Sequence, residues 1–88
     1  MFYTYVLQNE LTGKIYIGQT ENLAKRIDQH NDHSFTKFGK NAYTKINKGK
    51  WVLVYKEIFE TRIEARKREK ELKSSRGRDF IHKTIMGR

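Results

Sequence analysis

Residues 2–18 read FYTYVLQNELTGKIYIG, two stretches rich in aromatic and branched side chains with a short polar link between them. Over residues 2–8 the side chains alternate with a period of two, which is typical of a β-strand. Residues 14–18 have the same character, and the link before them ends in a glycine. The pattern predicts an antiparallel β-hairpin in which Tyr5 and Tyr16 could face each other.

After the hairpin the period of the apolar residues changes. Leu23 and Ile27 are spaced for one face of a helix. Thr20 is the predicted N-cap. Glu21 would then lie in the first turn, where its negative charge interacts favourably with the helix dipole. The first helix is expected to end near His30.

Residues 31–50 are polar and basic, and they predict a loop with one helical turn over residues 41–46. A strand follows, because residues 51–59, WVLVYKEIF, are short, branched and aromatic. Residues 61–64, TRIE, fit a capping box in which a threonine hydroxyl and a glutamate satisfy backbone donors at a helix start. The second helix should therefore run from there to about Lys73.

Two serines and a glycine at residues 74–77 interrupt this helix. A short terminal helix is predicted beyond them, and its apolar stripe would consist of Phe80, Ile81, Thr84 and Ile85. The predicted order is β-β-α-loop-β-α-α. It indicates an α+β fold, with a small antiparallel sheet packed against helices in one domain over residues 1–88.

The charge of the chain is strongly positive and unevenly spread. The 88 residues carry a net charge of +9, and residues 62–88 hold ten Lys or Arg against four Asp or Glu. A domain this basic usually meets a polyanion, and basic residues interleaved with Tyr, Phe and His favour nucleic acid. The alternative is a surface that only keeps the protein in solution.

Cysteine is absent, which excludes a disulfide framework and a thiolate zinc site. The N-terminal residues do not resemble a signal peptide, and no run approaches the roughly 18 apolar residues of a membrane span. These features predict a cytoplasmic protein that does not enter the membrane.

Glu69 interrupts the apolar pattern of the second helix. With Ala65 and Leu72 it occupies positions i, i+4 and i+7, on the stripe that should face the sheet. A carboxylate there needs compensation, either from a divalent metal that prefers oxygen ligands or from a cation such as Arg66 or Lys73 at the rim. Helix periodicity leaves both interpretations open.

Two further groups of side chains are candidates for function. Arg26 and His30 lie one turn apart and could form a phosphate clamp with an assisting histidine, or simply a solvated arginine and a hydrogen-bonded histidine. Tyr3, Tyr5 and Tyr16 crowd the hairpin. They could serve only in packing, or a hydroxyl could orient or deprotonate water.

These residues together resemble the GIY-YIG nuclease superfamily. The resemblance rests on Tyr3-Thr4-Tyr5, on Tyr16-Ile17-Gly18 about ten residues later, and on Arg26, His30 and Glu69 at matching spacings. It is closest to the small single-domain bacterial members, which similarly carry Tyr-Thr before a Trp-containing strand, here Tyr43-Thr44 before residues 51–55. Tyr3-Thr4 replaces the Gly-Ile of the first triad, so Tyr5 is the one residue of that triad that is retained, and it preserves the functional hydroxyl.

The resemblance implies a three-stranded antiparallel sheet with helices packed on it and a metal-dependent endonuclease activity. It implies that Glu69 holds one Mg²⁺ or Mn²⁺ ion and that Arg26 contacts the scissile phosphate. Tyr5 and Tyr16 would flank the attacking water, and either could be the base. His30 matches a position that helps to position groups or relay protons in some members.

The expected partner is nucleic acid, with DNA as the first choice, and a protein partner or a second copy could add grip. The alternative is a basic module that binds nucleic acid without cutting it. The residues expected to contact substrate are Gly18, Lys37, Lys40, Tyr43, Thr44 and Lys45.

Overall fold

A computed structural model describes residues 1–32 and 49–85. The predicted strands all form, as β1 (Phe2–Asn9), β2 (Ile15–Thr20) and β3 (Trp51–Phe59). They pair antiparallel in the order β2-β1-β3, so the hairpin lies at one side of the sheet and β1 is the central strand. The predicted α+β class with a three-stranded antiparallel sheet is confirmed.

The link between β1 and β2 is organised by Asn9. Its buried side-chain Oδ1 accepts hydrogen bonds from the backbone N–H groups of Leu11 and Thr12, at 2.8 and 2.9 Å. Gly13 then takes a φ of 76°, a left-handed conformation that glycine adopts without steric cost. This turn sets the register in which every side chain of the hairpin is paired.

The first helix, α1, spans Leu23–Asn31, and its predicted N-cap is wrong. The cap is Asn22, whose side chain accepts from the backbone N–H of Lys25 at 3.1 Å. Thr20 instead pairs with Tyr3 in the sheet, and its hydroxyl oxygen accepts from the N–H of Asn22. Because the strand keeps Thr20, the helix begins later and Glu21 precedes it rather than occupying its first turn.

The second helix, α2, spans Arg62–Lys73 and begins at the predicted cap. The Thr61 hydroxyl accepts from the backbone N–H of Glu64 at 3.3 Å and donates to the Glu64 carboxylate at 2.8 Å. The helix ends at Ser74, which caps a third helix, α3 (Ser75–Phe80). A π-helix, Ile81–Ile85, continues it, and here Thr84 is exposed, so the predicted apolar stripe lacks that residue.

Successive residues of β1 point to opposite faces of the sheet, and a separate cluster of buried side chains covers each face. Val6 joins Leu72 of α2 and Ile81 of the π-helix on one face. Tyr5 and Leu7 join Trp51 on the other, where α1 packs. The sheet is thus a two-sided platform that carries Tyr5 in its centre.

In the two described ranges, no helix combines the length and the apolar character needed to cross a membrane. The helical turn predicted for residues 41–46 lies outside those ranges. So do most residues of the predicted loop and five predicted substrate contacts, which are Lys37, Lys40, Tyr43, Thr44 and Lys45.

Candidate active site

Tyr5 is the centre of the candidate site. It lies on the central strand and has no solvent exposure. The hairpin register places it opposite Gly18, whereas Tyr16 lies opposite Leu7. The sequence allowed the two tyrosines to face each other directly, and the structure shows that they do not. They lie diagonally on the same face of the sheet, with ring centroids 6.2 Å apart.

Gly18 makes this arrangement possible. A Cβ atom at this position would lie 2.6 Å from the Tyr5 hydroxyl oxygen and 3.0 Å from a ring carbon of Tyr16. Those distances are shorter than van der Waals contact, so any larger residue would push the tyrosines apart. The glycine of the second triad is thus explained by the space that the two rings need, and its contact with substrate stays a prediction.

Helix α1 brings His30 and Arg26 to Tyr5. His30 is buried, its Nε2 lies 3.0 Å from the Tyr5 hydroxyl oxygen, and its ring centroid is 4.7 Å from that of Tyr16. Arg26, one turn earlier and half-buried, lies close enough to the Tyr5 hydroxyl to lower its pKa. Both candidate residues of α1 therefore lie near the Tyr5 oxygen, and His30 is within hydrogen-bonding distance of it.

Asn31, the last residue of α1, fixes that end of the helix against the sheet. Its side-chain Oδ1 accepts from the backbone N–H of Trp51 at 2.7 Å, and its Nδ2 donates to the Trp51 carbonyl at 2.9 Å. This amide pair continues the hydrogen-bonding pattern of a strand edge. It holds the neighbouring His30 in place, a role that sequence analysis missed because the contact joins residues twenty positions apart.

The environment keeps the two tyrosines protonated at neutral pH. Burial raises the pKa of Tyr5 well above its ordinary value, the charge on Tyr16 would raise it further, and Arg26 opposes the rise. The pKa of Tyr16 is also raised, first by burial, while Lys73 and Arg26 lower it and Glu69 raises it. The shifts show that Arg26 and Glu69 both lie within electrostatic reach of both phenols.

Glu69 lies on α2 at the border of this cluster, with 22% of its side chain exposed. Its Oε2 is 2.7 Å from the Nζ of Lys73, one turn later, so Lys73 is the partner found, one of the two rim cations that the sequence offered. Thr4 helps to place α2, because its buried hydroxyl donates to the Ala65 carbonyl at 2.7 Å. Sequence analysis missed this bond, although a threonine in an apolar strand signals one.

The donor set around Glu69 limits the metal that it could hold. In residues 1–32 and 49–85, no group of three or more His, Asp or Glu side chains is arranged to ligate an ion. Glu69 alone fits a hard divalent ion that keeps most of its waters and takes the rest of its ligands from substrate phosphate, as Mg²⁺ commonly does. Lys73 would have to give up its ion pair with Glu69 Oε2 before an ion could bind that oxygen.

The buried phenol of Tyr5 should make the stability of the fold depend on pH in the alkaline range. Below pH 10, the ordinary tyrosine pKa, folded and unfolded chains both keep the phenolic proton. Above it the unfolded chain releases this proton while the folded chain retains it, so the free energy of unfolding should fall as pH rises. Urea unfolding between pH 8 and 11 should show a shallower fall for Tyr5→Phe than for wild type; equal slopes would contradict the assignment.

Comparison with known proteins identifies the family of this chain. Residues 1–82 match the GIY-YIG catalytic domain. A UPF0213 protein of Staphylococcus saprophyticus is 39% identical over 72 residues, covering 82% of this chain and 79% of its own. A UPF0213 protein of Staphylococcus aureus is 37% identical over 62 residues, covering 70% and 68%.

A solved structure gives the same result. The solution NMR structure of a UPF0213 protein from Bacillus halodurans superimposes with a TM-score of 0.51 at 30% identity, covering 92% of this chain and 82% of the other. The chain belongs to the GIY-YIG family. Within that family its relatives are the UPF0213 proteins of bacteria, as the resemblance to small bacterial members predicted.

Proposed function

We propose that this chain is an endonuclease that hydrolyses phosphodiester bonds in nucleic acid, with DNA as its first expected substrate. The observation that carries the proposal is the convergence of four side chains, from β2, α1 and α2, around the phenol of Tyr5 on β1. The Tyr5 hydroxyl lies 3.0 Å from His30, the Tyr16 ring packs against the His30 ring, and Arg26 and Glu69 lie within electrostatic reach of both phenols.

Arg26 is the proposed ligand of the scissile phosphate. A guanidinium is always charged and can donate two parallel hydrogen bonds to phosphate oxygens. Its charge already acts on the phenols of Tyr5 and Tyr16, so the guanidinium lies at the cluster before substrate arrives. A preorganised cation of this kind stabilises the negative charge that develops on phosphorus oxygens during displacement.

Glu69 is the proposed ligand of a single divalent ion, Mg²⁺ or Mn²⁺. When bound, such an ion would supply Lewis-acid stabilisation of the charge on the phosphate oxygens. Glu69 is paired with Lys73, and a substrate phosphate would offer that ammonium another negative partner, which would free the carboxylate oxygen for the ion.

The two tyrosines have different access to water, which supports different roles for them. Tyr5 is fully buried, whereas Tyr16 is half-buried and contacts solvent. We assign Tyr16 as the residue that orients the attacking water. Its phenolate form, a minor species at neutral pH, accepts the water proton as the water oxygen bonds to phosphorus and the opposite P–O bond breaks, and the leaving oxygen takes a proton from solvent. Tyr5 then acts as a positioning residue that holds His30 and Arg26.

Cleavage assays on labelled single-stranded, duplex, flap and branched DNA and RNA test this proposal. We expect cutting with Mg²⁺ or Mn²⁺ and none with EDTA, and a duplex affinity whose logarithm falls with that of salt by about 0.9 per neutralised phosphate. Salt-sensitive binding without cutting of any substrate would favour the alternative, a basic binding module. Absence of both would exclude the two functions together.

A further inference from the structure

A cavity of about 460 Å³ opens beside Tyr16, at the corner between the hairpin, the end of α2 and the terminal helices. Residues 13–17, Lys73, Arg78 and His82 line it. Its volume is in the range of sites that hold a small molecule or one unit of a polymer. We propose that it binds one nucleotide of the substrate strand, adjacent to the phosphate at the catalytic residues; this inference rests on the proposed function.

The lining of the cavity has the two chemistries that a nucleotide needs. Ile15, Tyr16 and Ile17 supply apolar surface, against which a base can pack. Lys73 and Arg78 supply positive charge, and no Asp or Glu is among the lining residues. Phosphate oxygens accept strong hydrogen bonds from such cations, so an anionic, ring-bearing ligand fits better than an acidic peptide or an apolar one.

Two residues connect the cavity with the candidate active site. Tyr16 lines the cavity, and its ring lies 4.7 Å from that of His30, centroid to centroid. Lys73 lines the cavity and bonds the Glu69 carboxylate at 2.7 Å. A strand whose scissile phosphate lies between Arg26 and Glu69 would therefore place a neighbouring nucleotide at this opening.

The terminal helices add a second argument. The π-helix places His82 at the cavity, where its imidazole can stack on a base or donate to a phosphate. Single-turn π segments are rare and often occur at functional sites. This geometry gives a binding role to the basic C-terminal third of the chain, which the catalytic cluster by itself does not use.

Arg78 and Arg76 provide a matched test, because both are exposed on α3 but border different cavities. Arg78 lines the proposed nucleotide site, and Arg76 lines a groove with Lys67 and Lys70. Binding of fluorescent tetrathymidylate and tetrauridylate would be measured in EDTA at several salt concentrations. Arg78→Ala should weaken binding about tenfold and reduce the single-strand salt slope by about 0.7, and Arg76→Ala should change affinity less than about twofold.

Equal losses for the two variants would show that only net charge matters and would overturn the proposal, as would an unchanged affinity for Arg78→Ala. In ¹⁵N NMR spectra, either oligonucleotide should shift the backbone amides of residues 13–17 and of His82; shifts elsewhere but not there would also overturn it. Cleavage that is unaffected by Arg78→Ala, with unchanged binding, would refute the nucleotide site alone. Failure of wild type both to bind and to cut would instead refute the proposed function.

Discussion

Glu69→Gln should reduce Mg²⁺-dependent cleavage by at least about 10³-fold, measured as a single-turnover rate with saturating protein. The substitution keeps the size and most hydrogen-bonding capacity of the side chain but removes the charge that would hold the ion. Loss of a positioned charge stabiliser commonly lowers rate by about 10² to 10³, and loss of the ion removes its Lewis-acid contribution as well.

The fold should tolerate this change. Glu69 loses only an ion pair with Lys73, whose side chain is 52% exposed, and such partly solvated pairs contribute about 1 kcal/mol or less to stability. Glu71→Gln is the matched control, because Glu71 is on the same helix, two residues away, and is exposed. It should cut at close to the wild-type rate. Cleavage by Glu69→Gln at the rate of Glu71→Gln would disprove the metal assignment.

The strands and α2 were predictable because each depends on short-range signals. The branched and aromatic run of β3 gave its limits, Trp51–Phe59, and the Thr61 cap marked the start of α2. The start of α1 was mispredicted because two local preferences compete at Thr20. Pairing with Tyr3 in the sheet holds this residue in the strand, and tertiary pairing outweighs its capping preference.

The candidate site was predictable as a set of residue types, through spacings that resemble the family, but not as a geometry. Whether Tyr5 lies opposite Tyr16 or opposite Gly18 depends on the register, which is set by the turn that Asn9 and Gly13 form. Sequence alternation fixes the face of a side chain but not its partner. The contacts of Asn31 with Trp51 and of Thr4 with Ala65 join distant parts of the chain and likewise have no short-range signature.

Tyr16→Phe should lower the cleavage rate by about 10² to 10⁴, the usual contribution of a general base, and its effect should exceed that of Tyr5→Phe. Both changes remove a single hydroxyl and keep the ring, so the packing of the two variants stays comparable. Tyr16 contacts solvent, while the Tyr5 hydroxyl is buried, paired with His30 and close to the charge of Arg26. Loss of the Tyr5 hydroxyl should cost about tenfold, through weaker restraint of those side chains.

The dependence of rate on pH separates a base from a residue that only packs. Burial raises the pKa of Tyr16, so at neutral pH little phenolate is present, and the wild-type rate should climb up to about tenfold per pH unit between pH 7 and 9. Tyr5→Phe should keep this slope at a lower rate, whereas Tyr16→Phe should lose the phenolate-dependent rise. If Tyr16→Phe retained both the rate and its pH slope, the base would have to be metal-bound water rather than Tyr16. If Tyr5→Phe lowered the rate more than Tyr16→Phe, the base would be Tyr5. Tyr5 is fully buried and therefore has no contact with the attacking water, whereas Tyr16 does contact solvent. Tyr5 should therefore be the less important of the two for proton transfer.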